Sequence, residues 1–310
     1  MPEIAKILLT GSSGFVGSNL FNALNPDFEF YGLDIKRGQL IKDHLVFNWT
    51  EINHIPEVAV IIHLAGKAHD TANKSKREEY FDVNLGLTKN IFDHFLNSEA
   101  KKFIFFSSVK AVADDVEGVL TENNVPAPKT PYGESKLAAE HYILSQKVPK
   151  DKDVYILRPC MIHGPGNKGN LNLLYKLVKK GIPWPLGAFD NLRSFASIDN
   201  VTFVIRQILE KDIPSGIYQI ADDEPVSTNE LIKIIAQTLH LNTRIWHIPP
   251  DLVRLGVNIG DYLNLPLNSE RLKKLTESYI VSNAKIKGVL SVKKMPVSAK
   301  EGLERTLKVF

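Results

Sequence analysis

The sequence predicts a doubly wound α/β fold with a smaller C-terminal lobe, and three observations carry that prediction. A short apolar run at 4–10 ends in Thr10, glycines follow at 11, 14 and 17, and Phe15, Val16, Leu20 and Leu24 then recur at helical spacing. The chain therefore opens as strand, tight turn and helix. Val58, Ala59, Val60, Ile61 and Ile62 lie in a near-continuous apolar run, the pattern of a strand buried on both faces of a parallel sheet. Strand-like and helix-like patterns alternate through the first half of the chain, as repeated strand–helix–strand units require.

The opening turn is suited to a phosphate. Glycine permits the turn and a close approach of the backbone, while free N–H groups and the positive end of the helix macrodipole face the anion. A second apolar run at 28–33 ends in Asp34, 17 residues after Gly17 and 23 after Gly11. An acid about 20 positions on accepts from the ribose hydroxyls of NAD. Lys36 and Arg37 follow directly and keep NADP open as the cofactor. A carboxylate at the strand tip repels a 2′-phosphate, which favours NAD.

Leu45, Val46 and Phe47 form a short strand whose following Asn48 is placed to reach an adenine. The strand at 58–64 ends in Ala65 and Gly66, small residues past which a cofactor backbone can run. A long helix follows, its stripe supplied by Tyr80, Phe81, Val83, Asn84, Leu87, Ile91, Phe92 and Phe95. His63 reads as a core or strand-end histidine and His69 as a loop residue. The strand at 103–106 runs into Ser107 and Ser108, and in open parallel sheets ligands sit outside the carboxyl ends of the strands, so these hydroxyls point toward the crevice.

Tyr132 and Lys136 stand four apart at the start of a helical pattern, hence on one face one turn along. A phenol with a pKa near ~10 is a poor base at neutral pH, and an ammonium group one turn away favours the phenolate. A neighbouring serine hydroxyl then holds a substrate oxygen while the tyrosine exchanges its proton.

Composition bounds the rest. A chain of 310 residues, 44% hydrophobic and 24% charged, buries a large core and suits one big domain or two lobes sharing one core with the cleft between them. A net charge of +3 with the signs well mixed leaves no electrostatic footprint for nucleic acid or a membrane surface. The single Cys160 excludes an internal disulfide and a cysteine-rich metal site. With no run of 18 apolar residues and no basic leader, the sequence reads as cytoplasmic.

On these motifs the chain resembles the extended short-chain dehydrogenase/reductases, in their NAD-dependent epimerase/dehydratase branch. The match spans nearly the whole length: Thr10-Gly11-x-x-Gly14-Phe15-Val16-Gly17, His63-Leu64-Ala65-Gly66, Val83-Asn84-x-Gly86-x-Thr88, Ser107-Ser108, Tyr132-x-x-x-Lys136, Leu157-Arg158-Pro159 and His163-Gly164-Pro165-Gly166. The runs at 164–171, 185–187 and 193–195 are similar to a bacterial subgroup of UDP-glucose 4-epimerase-like enzymes that make surface polysaccharide precursors.

The resemblance implies a Rossmann-type sheet with NAD across its switch point, and a nucleotide sugar, UDP-linked, held by the C-terminal lobe. It gives Ser108 the catalytic serine position, Tyr132 the acid/base, and Lys136 the residue that lowers its pKa and binds the nicotinamide ribose. It sets Phe15, Val16, Leu64, Asn84 and Pro159 beside the cofactor, and Lys168, Asn170, Arg193 and Arg271 beside the substrate, the two arginines clamping its pyrophosphate. Two positions depart from the family pattern. The 4,6-dehydratases carry Asp and Glu where this chain has Val109 and Lys110, which removes the acid and base that expel a 6-hydroxyl. Met161 stands where well-known 4-epimerases have an asparagine near the sugar diphosphate. Family members often pair as dimers through the helices that here cover 80–95 and 132–146.

The boundary falls between a cofactor-binding core at 1–165 and a mainly substrate-binding lobe at 166–310, with some later strands returning to the sheet. In that second part a glycine-rich loop at 164–169 leads into a helix at 171–180. Arg193 precedes a strand, and Ser227 with Glu230 and Ser298 with Glu301 read as helix-opening capping boxes. A strand is expected over 245–248. The expected activity is 4-epimerisation. A 4-keto sugar nucleotide reductase using NADPH and a non-enzymatic dinucleotide sensor stay open beside it.

Overall fold

The computed structural model describes residues 5–36, 40–42, 45–67, 75–167, 170–262 and 269–310. Arg37, His69 and Lys168 lie outside the described residues. The strands are β1 (Lys6–Thr10), β2 (Glu29–Leu33), β3 (Val46–Phe47), β4 (Val60–His63), β5 (Lys102–Phe106), β6 (Val119–Leu120), β7 (Asp153–Pro159), β8 (Met161–His163), β9 (Phe195–Ser197), β10 (Gly216–Ile220) and β11 (Ile280–Val281). The helices are α1 (Phe15–Leu24), α2 (Arg77–Tyr80), α3 (Leu87–Asn97), α4 (Pro131–Ser145), α5 (Asn170–Lys179), α6 (Ile198–Glu210), α7 (Thr228–Thr238), α8 (Pro250–Tyr262), α9 (Ser269–Thr276), α10 (Ala284–Leu290) and α11 (Ala299–Leu307).

Seven strands form one parallel sheet in the order β10-β7-β5-β4-β1-β2-β3, the doubly wound arrangement that the sequence predicts. The order reverses at β1, whose neighbours are β2 and β4, so a crevice opens beyond Thr10 and His63. Alternation along each strand sorts the core onto two faces. Ile7, Leu9, Ile62, Ile104 and Leu157 pack with α1, α6 and α10 on one side. Leu8, Ile61, Phe103, Phe105 and Ile156 pack with α3 and α4 on the other. A third cluster, including Trp184, Leu186, Ile235 and Leu303, underlies α5, α7, α8, α9 and α11. Among the described residues no helix is long and apolar enough to cross a membrane.

The long helix expected over 80–95 is interrupted. A π-helical turn, Phe81–Gly86, separates α2 from α3. The wider turn carries Asn84, fully buried on the inward side as its place in the expected stripe implies. Over 245–248 only single bridges form, Trp184 with Ile245 and Leu186 with His247, rather than a strand. Ser227 and Ser298 do cap helices, accepting from the backbone N–H of Glu230 at 3.0 Å and of Glu301 at 3.3 Å.

One buried charge pair fixes α4 against the sheet. Glu140 on α4 has no exposed surface and accepts from Arg158 Nε on β7 at 2.9 Å, from Arg158 Nη2, and from the Ser107 hydroxyl at the end of β5. Removing one partner of such a pair strands the other charge away from water, at a cost of about 3–5 kcal/mol. Glu140→Gln should therefore lower the unfolding free energy in urea by an amount of that order. A loss under about 1 kcal/mol would show that the pair does not anchor the helix.

Candidate active site

The turn between β1 and α1 forms because glycine alone fits it. Gly11 has φ +66°, and a Cβ there would lie 2.8 Å from the Ala65 nitrogen. A Cβ on Gly17 would lie 2.4 Å from the Gly11 carbonyl oxygen. Gly14 stands at the cap of α1, so no side chain caps the first N–H groups of the helix, and its first turn holds no acid. Those donors, beside Phe15 and Val16, are available to an anion, so the turn fits a dinucleotide pyrophosphate. Asp34 follows β2, with its backbone N–H donating to Phe47 at 3.1 Å. Its carboxylate accepts from the Ser13 N–H at 2.9 Å, the Ser13 hydroxyl at 2.8 Å and the Ile35 N–H at 2.7 Å, which locks the acid against the glycine turn.

Thr10 organises the next loop. Its hydroxyl lies 2.7 Å from His63 Nδ1 and accepts from the Leu64 N–H at 3.2 Å and the Ala65 N–H at 3.0 Å. His63 Nε2 meets the Thr88 hydroxyl at 3.0 Å, so the histidine is a core link, as read from the sequence. Burial, and secondarily the Lys136 charge, hold its pKa well below the usual imidazole value. Gly66 is packed so closely that a Cβ there would lie 2.8 Å from Asn84 Oδ1 and 3.2 Å from Lys136 Nζ. Asn84 Oδ1 accepts from the Lys67 N–H at 2.7 Å, and its amide donates to the Ser135 hydroxyl at 2.9 Å, so Asn84 ties this loop to α4. Asn48 is exposed and accepts from the Thr50 N–H at 3.4 Å as the cap of a short 3₁₀ turn. Pro159 ends β7, buried.

At the tip of β5 the two serines divide their work. Ser107 is spent on Glu140. Ser108 opens a 3₁₀ turn, Val109–Ala111, accepting from the Lys110 N–H at 3.2 Å, and its hydroxyl is hydrogen-bonded to the Tyr132 phenol. Tyr132 is carried by the first turn of α4, which starts with Thr130 as cap and Pro131 at its first position. A Cβ on Gly133 would lie 2.3 Å from the Lys110 carbonyl oxygen, so the Ser108 turn seats directly on the start of α4. Lys136, one turn on, donates to the Phe106 carbonyl at 2.9 Å with its ammonium 5.0 Å from the Phe105 ring centroid.

The Tyr132 pKa is raised rather than lowered as expected. Burial raises it; the Ser108 hydrogen bond opposes that, and the nearby Tyr80 adds to it. The Lys136 amine donates to the Phe106 carbonyl, and burial draws its own pKa down to about 8, against the pull of Glu140.

Arg193 comes to this crevice from the second half of the chain, through residues that the sequence reading did not single out. Its backbone bridges Val226 on one side and Tyr279 on the other. The Tyr279 hydroxyl donates to the carbonyls of Ala113 at 2.7 Å and Val109 at 3.3 Å, on the turn that Ser108 opens. Arg193 is drawn below its usual pKa by burial, against the charges of Glu277 and Tyr279. Asn170 begins α5 and Arg271 lies on α9; the side chains of both are outside the described set. Met161 is 40% exposed where β8 begins, leaving an apolar thioether at a position that the resemblance gives to an amide.

Comparison with known proteins agrees with this geometry. The family model described as the NAD dependent epimerase/dehydratase family matches residues 7–221. The chain belongs to that family. A UDP-glucose 4-epimerase of Vibrio cholerae is 32% identical over 100% of this chain and 96% of its own length. An N-acetyl-α-D-glucosaminyl-diphospho-ditrans,octacis-undecaprenol 4-epimerase of Escherichia coli O157:H7 is 27% identical over 97% of this chain and 94% of its own. The solved UDP-glucose 4-epimerase of Thermotoga maritima with UDP-glucose superposes with a TM-score of 0.76 at 20% identity, over 98% of both chains. Family membership makes NAD the cofactor, in agreement with the glycine turn and Asp34.

The buried amine offers a direct check. With ¹⁵N-labelled lysine, and Lys136→Met to assign the signal, the Lys136 Nζ of cofactor-free protein should titrate at about 8. A midpoint near the ordinary ~10.4 would contradict the enclosure of this amine.

Proposed function

We propose that this protein is an NAD-dependent 4-epimerase of a UDP-linked hexose or N-acetylhexosamine. The observation that carries the reading is the hydroxyl–phenol pair of Ser108 and Tyr132 at the carboxyl end of β5, with the Lys136 amine behind it against Gly66. Bound NAD supplies reversible oxidation at the C4 carbon of the sugar. Ser108 holds the C4 oxygen, and Tyr132 takes its proton and later returns it. Burial favours the neutral phenol, the form that returns a proton. The forward transfer needs added positive charge, and Lys136 is the chain's own source of it, while also bonding the cofactor ribose.

Gly11, Gly14 and Gly17 receive the pyrophosphate of NAD. Asp34 takes the ribose hydroxyls, for which it must share or exchange its Ser13 contacts. Arg193 holds the diphosphate of the substrate, with Arg271, Lys168 and Asn170 as further substrate-binding residues, so that only the sugar turns. Val109 is buried and apolar and Lys110 carries no carboxylate, so these two positions do not supply the Asp and Glu that expel a 6-hydroxyl from a 4-keto sugar. The Vibrio cholerae relative's activity supports the choice of a UDP-hexose. A cytoplasmic location and a homodimer through α3 and α4 complete the reading.

Denatured protein should release NAD, and the native protein should interconvert UDP-glucose with UDP-galactose, or their N-acetyl forms, without added reductant. Tyr132→Phe should slow turnover by roughly two to four orders of magnitude and leave the fold intact. A requirement for stoichiometric NADPH, or near-normal turnover in Tyr132→Phe, would overturn the proposal.

A further inference from the structure

Helix α4 buries two opposite charges one turn apart. Lys136 and Glu140 are both on its buried side, four residues apart and so on one face. They meet the same corner of the sheet through neighbouring residues: Lys136 Nζ donates to the Phe106 carbonyl at 2.9 Å, and the Ser107 hydroxyl donates to Glu140 Oε1. Arg158 reaches the carboxylate from β7, its Nε 2.9 Å from Oε1 and 3.2 Å from Oε2. Three charges of alternating sign, Arg158, Glu140 and Lys136, thus stand in the interior behind Tyr132.

The other groups around the amine do not offset its charge. His63 on β4 is buried, and burial together with the Lys136 charge favours its neutral form. The Phe105 ring centroid lies 5.0 Å from Nζ, and Gly66 is so close that a Cβ there would lie 3.2 Å from it. Tyr132, one turn earlier, is favoured as the neutral phenol and has Tyr80 edge-on to it. Lys67 lies over the Tyr80 ring and pairs with Glu79. Among the described residues, Glu140 is the carboxylate whose charge acts on the Lys136 amine. A carbonyl and a ring face alone hold a buried ammonium poorly, whereas an opposite charge in a site shut off from water acts strongly. The guanidinium in turn keeps the carboxylate ionised, since a lone buried carboxylate takes up a proton.

We infer that Glu140 is a positioning residue for the reaction, its ionised carboxylate holding the Lys136 amine in the charged form that Tyr132 needs when it takes the C4 proton. This rests on the acid/base reading of Tyr132 and Lys136. The buried pair of Glu140 and Arg158 then does more than anchor α4: it sets the charge of the amine as well as its place. Lysine suits such control, because its ammonium loses its proton readily when buried.

The test titrates Lys136 Nζ by ¹⁵N-lysine NMR in wild type, Glu140→Gln, Glu140→Gln/Arg158→Met and Ser107→Ala, all in the same cofactor state, and follows kcat/KM for UDP-glucose against pH. Glu140→Gln should hold the Lys136 proton at least about tenfold more weakly than wild type, and the alkaline limb of kcat/KM should move to lower pH with it. The double variant removes both charges and strands neither, and its midpoint should also fall. Ser107→Ala keeps the carboxylate and should titrate as wild type does. A midpoint equal to wild type in the double variant would overturn the inference, as would an equal fall in Ser107→Ala, the mark of loosened packing rather than lost charge. Midpoints that shift as expected in a protein that epimerises no UDP-hexose would defeat the functional reading instead and leave the coupling of Glu140 to Lys136 to stand on the titration.

Discussion

Glu140, with no surface open to water, is clamped between the Arg158 guanidinium on β7 and the Ser107 hydroxyl at the end of β5. Its helix carries Lys136 one turn earlier and Tyr132 two turns earlier, on the same face. One charge pair therefore sets the height and rotation of the helix that presents the phenol and the amine. The serine beside it, Ser108, is left to face the crevice. A buried ion pair is weak evidence for net stability, because its desolvation offsets most of its attraction. Its value here is in position, since the carboxylate can be satisfied in only one register of α4 against the sheet.

The same economy joins the remaining parts. Thr10 and His63 tie the first glycine turn to the loop that ends in Gly66, and Asn84 ties that loop to α4. Tyr279 hangs the later part of the chain on the carbonyls of Val109 and Ala113, which brings Arg193 to the crevice. The glycine turn, the Ser108 turn, α4 and Arg193 are thus linked through hydrogen bonds that run mostly between backbone and short polar side chains. Such links tolerate little displacement, as a site that must hold a cofactor and a sugar in contact requires.

Much of this was legible in the sequence, for physical reasons. Strands buried on both faces read as continuous apolar runs, the glycine turn admits no other residue at 11 and 17, and a tyrosine and lysine four apart on a helix share a face. What stayed hidden depends on contacts between distant residues. Tyr279 meets Val109 across 170 positions, and nothing local marks it. The π-helical turn at Asn84 adds one residue to a helical period that the apolar pattern continues to satisfy, so the interruption leaves no trace in the stripe. The capture of Ser107 by Glu140, which sets the two serines apart, is tertiary and has no local mark. The raised pKa of Tyr132 is likewise tertiary: a shared helix face with Lys136 is legible in the sequence, whereas the burial that dominates the phenol is not.

The site is therefore arranged for a proton and an oxygen to be managed beside a dinucleotide, with no acid next to Ser108 to divert the product. The central claim is that oxidation at C4 is transient and is reversed on the other face of the same sugar. The most direct measurement is the fate of deuterium placed at C4 of UDP-galactose when the protein converts it in ordinary water. Full retention of the label at C4 of the UDP-glucose formed is the result predicted. Loss of the label to solvent, or its replacement by hydrogen from added NADPH, would contradict the account.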